Sequence, residues 1–195
     1  MNSIEIARER ISELSALLPN FNSECGAALV TAAEMLTNAF RGGSKVLICG
    51  NGGSAADSQH FAAELVSAFS PDIKRPALSA IALTVDTSII TAFSNDFGFE
   101  NVFARQVEAH GRTGDVLIAI TTSGSSKNCL AAVVAAKNLG MRTIALTRRG
   151  GLISAATDLA VEVPSINTQH IQECHIVAYH IMSELIEKEL YGGSR

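Results

Sequence analysis

His60 and Glu64 stand four residues apart in the segment His60-Phe61-Ala62-Ala63-Glu64. On a helix such positions share one face, about 6 Å apart along the axis. An imidazole and a carboxylate so placed can share a divalent metal or act as a proton-transfer pair. The same spacing is common on ordinary exposed helices, where it does neither. A second group lies near the C-terminus, where Gln172, Glu173, His175 and His180 interrupt an otherwise apolar stretch. With His170, three of the five histidines fall within Gln169–His180. A histidine in such a stretch is as readily a hydrogen-bonded core residue as a ligand. Chemistry requires this segment to cross near His60 and Glu64, which periodicity alone does not decide.

Two loops could hold an anion. The run Lys45–Cys49 leads directly into Gly50-Asn51-Gly52-Gly53-Ser54, and a helical pattern follows. The glycines allow close backbone approach, Ser54 can cap the helix, and the helix amides point outward. The spacing is neither a dinucleotide fingerprint nor a P-loop, and a tight turn without a ligand would look similar. The second loop, Thr121-Thr122-Ser123-Gly124-Ser125-Ser126, follows Asp115–Ile120 and opens another helix. Five hydroxyls around one glycine match three phosphate oxygens, although capping chemistry uses the same residues. Two such loops after neighbouring strands favour a ligand site. Lys127 either adds a charge or is a solvated surface lysine. Asn95-Asp96 reads as a turn between two helical patterns, with a role in orienting sugar hydroxyls possible but not demanded. Asp86-Thr87 reads as an N-cap.

These residues need a scaffold. Lys45–Cys49, Ser79–Leu83, Asp115–Ile120, Arg142–Leu146 and Asp158–Val163 are short apolar runs. Helical patterns over about Ser54–Phe69, Thr87–Ser94, Glu100–His110 and Ser126–Leu139 separate them. Short strands alternating with helices predict an α/β fold, a three-layer sandwich around a five-stranded parallel sheet of order 2-1-3-4-5. Ligands belong at the carboxyl ends of its strands. Residues 1–43 read as a helical pair, broken at Pro19-Asn20, restarted from an Asn22 N-cap and ended at Arg41-Gly42-Gly43. Residues 44–195 form the α/β core with a long C-terminal helix over about Gln169–Leu190, and residues 1–195 read as one domain. The end helices carry three-four apolar stripes resembling bundle seams, which predicts a homo-oligomer.

Composition narrows the classes. The chain has 195 residues, 47% hydrophobic and 17% charged, which excludes disorder by composition. A net charge of −4 argues against a basic nucleic-acid surface. It leaves anionic ligands open, since amides and hydroxyls hold phosphate without cationic side chains. No apolar run reaches the roughly 18 residues of a membrane span. The charged N-terminal residues do not read as a signal peptide. Cys25, Cys49, Cys129 and Cys174 lie far apart without a CxxC pair and read as free buried thiols of a cytoplasmic protein.

Taken together, GNGGSAADSQHFAAEL, AIALTVDTSIITAFSNDFGFENVFARQVEA, GDVLIAITTSGSS and HIQECHIVAYHIMSELIEKEL resemble the sugar-isomerase (SIS) domain family, and within it the phosphoheptose isomerases. The resemblance spans essentially the whole chain. It implies a cytoplasmic homotetramer converting sedoheptulose 7-phosphate to D-glycero-D-manno-heptose 7-phosphate, opening nucleotide-heptose synthesis for lipopolysaccharide core or other surface glycans. It implies zinc held by His60, Glu64, Gln172 and His180, with Glu64 and His180 as the acid/base pair. Substrate contacts would come from Asn51, Gly52, Gly53, Ser54, Glu64, Asn95, Asp96, Thr121, Thr122, Ser123, Ser126 and Gln172, in sites shared between subunits. The chemistry suits these types: one base moves a proton between C1 and C2 through a cis-enediol, and an imidazole can shuttle a proton on the oxygens near neutral pH. A carboxylate tightly bound to metal is a poor base, however. Gln172 and His180 also lie about 12 Å apart along an ideal helix.

The chain departs from the pattern at Ala68, where the family usually has Arg. That cationic contact is then absent or supplied by Lys74 or Arg75. Ser125 also replaces a usual Asn, and Gln169-His170 a usual Ala-Arg. Two other classes keep the fold without turnover: replication-initiator-associating relatives, and sugar-phosphate sensors. The first lack the residues matching Glu64 and His180, both present here.

Overall fold

The computed structural model describes residues 2–192. Five strands form one parallel sheet: β1 Val46–Gly50, β2 Ala80–Ala82, β3 Val116–Thr121, β4 Arg142–Arg148 and β5 Leu159–Val163, in the order β2-β1-β3-β4-β5. The expected order is therefore observed, and each apolar run is a strand to within two residues at either end. β1 and β3 are buried at every position, which is why they read as continuous apolar runs rather than alternating ones. The order reverses between β1 and β3, so their carboxyl ends open onto the switch point where ligands bind in such sheets.

Among the described residues, seven α-helices surround the sheet: α1 Ser3–Arg41, α2 Gly53–Val66, α3 Thr87–Phe97, α4 Val102–His110, α5 Lys127–Asn138, α6 Leu152–Ala156 and α7 Thr168–Tyr191. One face of the sheet packs under α1, α2 and α7, around Leu29, Leu36, Ile48, Phe61, Ile118 and Met182. The other packs under α4 and α5, around Leu47, Phe103, Leu117, Val133 and Ala145. That is the three-layer sandwich. The four cysteines are free and buried.

The helical pair expected for residues 1–43 is instead one 39-residue helix that runs through Pro19. A proline inside a helix removes one backbone hydrogen bond and costs about 3 kcal/mol. Here the apolar stripe keeps its phase across the proline: Leu14, Leu17, Phe21, Cys25 and Leu29 follow one another at three and four residues, so packing carries the helix onward. Pro19 itself is exposed. Asn22 is mid-helix, not a cap. The true N-cap is Asn2, whose side chain accepts from the Ile4 and Glu5 amides while Glu5 accepts from the Asn2 amide. The helix ends at Arg41 with Gly42 as C-cap, as the sequence predicts.

Asn95-Asp96 is also not a turn, because α3 continues to Phe97 and stops at Gly98. Asp86 does cap α3, accepting from the Ile89 amide at 2.8 Å. The short α6, between β4 and β5, has no counterpart in the sequence reading.

Candidate active site

α2 leaves the carboxyl end of β1 and carries His60 and Glu64 on one face. The His60 Nε2 lies 3.0 Å from Glu64 Oε1. α7 packs against α2 and brings His180 to the same spot, its ring centroid 5.1 Å from that of His60 at 77°. His60, Glu64 and His180 each offer a ligand atom within 4.8 Å of the others. Segments more than a hundred residues apart therefore converge, as chemistry required. Phe69 tilts over His180, with centroids 5.8 Å apart.

The donor set fits a divalent metal. Zinc takes imidazole nitrogen and carboxylate oxygen at about 2.0–2.2 Å in a tetrahedron, which sets donors about 3.3 Å apart. The three atoms lie within 4.8 Å of one another, close to that spacing. Gln172 is engaged elsewhere, its Nε2 donating to Asp57 Oδ2 at 3.1 Å. It also lies against Gly53, where a Cβ would overlap its amide. Gly53 thus lets the Gln172 amide sit on the first turn of α2.

Two residues that the sequence reading passed over belong here. Asp57, buried one turn before His60, receives the Gln172 amide; burial pushes its carboxyl pKa up, against the Gln172 hydrogen bond and the nearby His60. Its i−3 spacing from His60 is a signal the sequence does carry. Tyr179 places its hydroxyl 2.9 Å from His60 Nδ1. Burial holds its phenol pKa well above the ordinary value, with Asp57 and Glu64 adding to it. An aromatic inside an apolar helix reads as core, so Tyr179 gave no such signal.

The two polar loops meet across the switch point. Asn51 and Asn128 exchange side-chain hydrogen bonds of 2.9 and 2.8 Å, tying the β1 loop to the first turn of α5. In the β3 loop, Thr121 Oγ1 lies 2.9 Å from Ser126 Oγ and 3.2 Å from Ser123 Oγ. Ser126 stands at the N-cap of α5 yet makes no side-chain cap hydrogen bond. Its hydroxyl faces the other two instead, and the three sit at a helix N-terminus, where an anion is favoured. Gly124 makes this loop possible: its φ is +69°, and a Cβ there would strike the Gly151 backbone. Thr122 is half-buried in the same loop and Ser125 is exposed. Lys127 pairs with Glu100 at 2.6 Å on the surface.

Three placements differ from the sequence reading. Ser54 lies buried inside α2, while Gly52 is the N-cap and no side chain caps the helix. Asn95 and Asp96 are exposed at the end of α3, hydrogen-bonded to each other at 2.8 Å and, among the described residues, to neither loop. Arg75 does not supply a sugar contact, since its side chain is fully buried against Glu187. It donates to Glu187 Oε1 at 2.7 Å and to the Glu64 and Leu65 carbonyls at 2.8 Å each. Glu187 in turn accepts the Phe69 and Ser70 amides. Lys74 is the exposed cation of the pair.

Comparison with known proteins adds three findings. The SIS domain family model matches residues 11–148. A phosphoheptose isomerase from Akkermansia muciniphila is 46% identical over 185 residues, covering 93% of this chain and 97% of that protein. Among solved structures, phosphoheptose isomerases from Neisseria gonorrhoeae and Francisella tularensis superpose with TM-scores of 0.90 and 0.92, at 42% and 38% identity. Each match covers 96% of this chain and all of the other.

Proposed function

From a chain that belongs to the SIS domain family, in its phosphoheptose isomerase branch, and is a sugar-phosphate isomerase, we propose the interconversion of sedoheptulose 7-phosphate and D-glycero-D-manno-heptose 7-phosphate. The observation that carries this reading is the meeting of Glu64 with the His60 and His180 imidazoles where α7 packs on α2. The phosphate is held by the Thr121, Ser123 and Ser126 hydroxyls and the N-terminus of α5, with Thr122 in the same loop. Asn51, Gly52, Gly53 and Ser54 bound the opposite wall, and Gln172 reaches the sugar from above Gly53. In a homotetramer with shared sites, Asn95 and Asp96 serve a neighbouring copy's substrate.

Glu64 takes the proton from one of C1 and C2 and returns it to the other through a cis-enediol. His180 carries a proton between the two oxygens, so the carbonyl and hydroxyl exchange places with no net gain of protons. His60, Glu64 and His180 would hold zinc; Gln172, which the family resemblance offers as a fourth ligand, is bonded to Asp57 instead. A bound zinc ion would polarise the carbonyl and acidify the adjacent C–H. Glu64 faces both roles, and its carboxylate has two oxygens with which to meet them. The reaction opens nucleotide-heptose synthesis for surface glycans and takes place in the cytoplasm.

Purified protein supplied with zinc and sedoheptulose 7-phosphate should produce the aldose, followed by NMR of the C1 proton. No turnover under those conditions would leave a binding protein in place of the enzyme. His60→Ala should lower the zinc found by elemental analysis, and unchanged metal would remove His60 from the ligand set.

A further inference from the structure

Both ring nitrogens of His60 are engaged, and the partner on the inner side is not part of the proton-transfer pair. Tyr179 is fully buried on α7 next to His180, its ring stacked on Phe61 with centroids 5.3 Å apart and planes at 19°. That stacking fixes the phenol, whose hydroxyl lies 2.9 Å from His60 Nδ1. On the other side Nε2 faces Glu64 Oε1 at 3.0 Å. The His60 side chain is 46% exposed, so packing alone does not hold its ring. We infer that Tyr179 is a positioning residue whose hydroxyl, bonded to Nδ1, fixes the rotation of the His60 ring and so aims Nε2 at Glu64 and His180.

A hydroxyl suits this place because it both donates and accepts. When Nε2 carries the ring proton toward Glu64, Nδ1 is bare and the phenol O–H donates to it. When the Nε2 lone pair is given to a divalent cation, the ring proton is on Nδ1 and the phenol oxygen accepts it. The ring holds one proton in both states; it only changes nitrogen, with water as the carrier. Partners of this kind, behind a metal-ligating histidine, typically change metal affinity 10–100-fold when removed. The metal consequence rests on the zinc reading above, whereas the orientation of the ring does not.

Tyr179→Phe in the full-length protein keeps the ring on Phe61 and deletes only the hydroxyl. In metal-free protein, NMR couplings of the His60 side chain should show one ring rotamer in the wild type and rotamer averaging in the variant. Zinc titrated against a chromophoric chelator should bind about 10- to 100-fold more weakly to the variant, with melting temperature and oligomer unchanged. An equally ordered His60 ring and a zinc affinity within about threefold of wild type would overturn the inference. Loss of ring order in the variant of a protein whose wild type binds no zinc would uphold the positioning role and defeat the metal reading instead.

Discussion

At the scale of single residues, the site depends on groups whose atoms must stand within a few tenths of an ångström of their places. Glu64→Gln keeps the shape and hydrogen-bonding capacity but removes the base. It should lower kcat by at least about 10²–10⁴ while the assembly, measured by light scattering, stays intact; near-normal turnover would move the base elsewhere. His175 is the opposite case, a buried imidazole that the proposed chemistry does not use. Burial lowers its pKa to about 4, opposed weakly by the Thr147 backbone, and neither ring nitrogen has a hydrogen-bond partner of good geometry. The folded protein therefore holds it neutral below the point, near 6.5, where the unfolded chain would charge it. The unfolded state binds the extra proton, so this contribution to stability is complete above pH 6.5 and shrinks as pH falls toward 4. By pH 5 about 2 kcal/mol should be gone. Urea unfolding at pH 7.5 and 5.0 would measure it, and His175→Gln, which cannot charge, should lose less over that interval than the wild type.

At the scale of elements, legibility followed the range of the forces involved. The strands showed because β1 and β3 are buried on both faces, and burial writes itself into a run of Val, Leu and Ile. The break expected at Pro19 is absent because the contacts that keep α1 whole lie on α7 and β5, out of reach of any local rule. The convergence of His60 and His180 was likewise invisible from periodicity, whereas the His60–Glu64 pairing needed only helical spacing. The clamp behind Glu64 belongs to the same hidden class. Arg75 satisfies the last carbonyls of α2, and Glu187 on α7 holds Arg75 together with the Phe69 and Ser70 amides. Removing one member leaves a buried, uncompensated charge. Glu187→Ala should therefore cost about 3–5 kcal/mol of stability, read as a lower denaturation midpoint in urea. A loss below 1 kcal/mol would mean that water replaces the carboxylate. Lys74→Ala beside it should leave the midpoint where it was, since that side chain is exposed.

At the scale of the whole molecule, α1 carries information that its own protomer does not use. The stripe that buries Cys25, Leu29 and Leu36 continues at the same helical phase through Ile4, Ile11 and Leu18. Those three are 58%, 67% and 38% exposed. Buried residues on α1 begin only at Phe21, and α7, which covers that half, starts at Thr168. A seam that keeps its phase but loses its cover is what a second copy of the same chain would fill, since association through matching stripes gives closed symmetric oligomers. The homotetramer proposed above would supply that cover. Ile11→Glu together with Leu18→Glu should then shift the assembly to smaller species in light scattering, because fully covering each side chain is worth about 1.5–3 kcal/mol. The circular dichroism of the protomer should hardly change, as neither residue is buried within it. Activity should fall with the assembly if Asn95 and Asp96 serve the neighbouring site, and raising the protein concentration should restore both together. A double variant that keeps the wild-type mass would show that this half of α1 is not the seam; one that dissociates yet turns over normally would confine every substrate contact to a single chain.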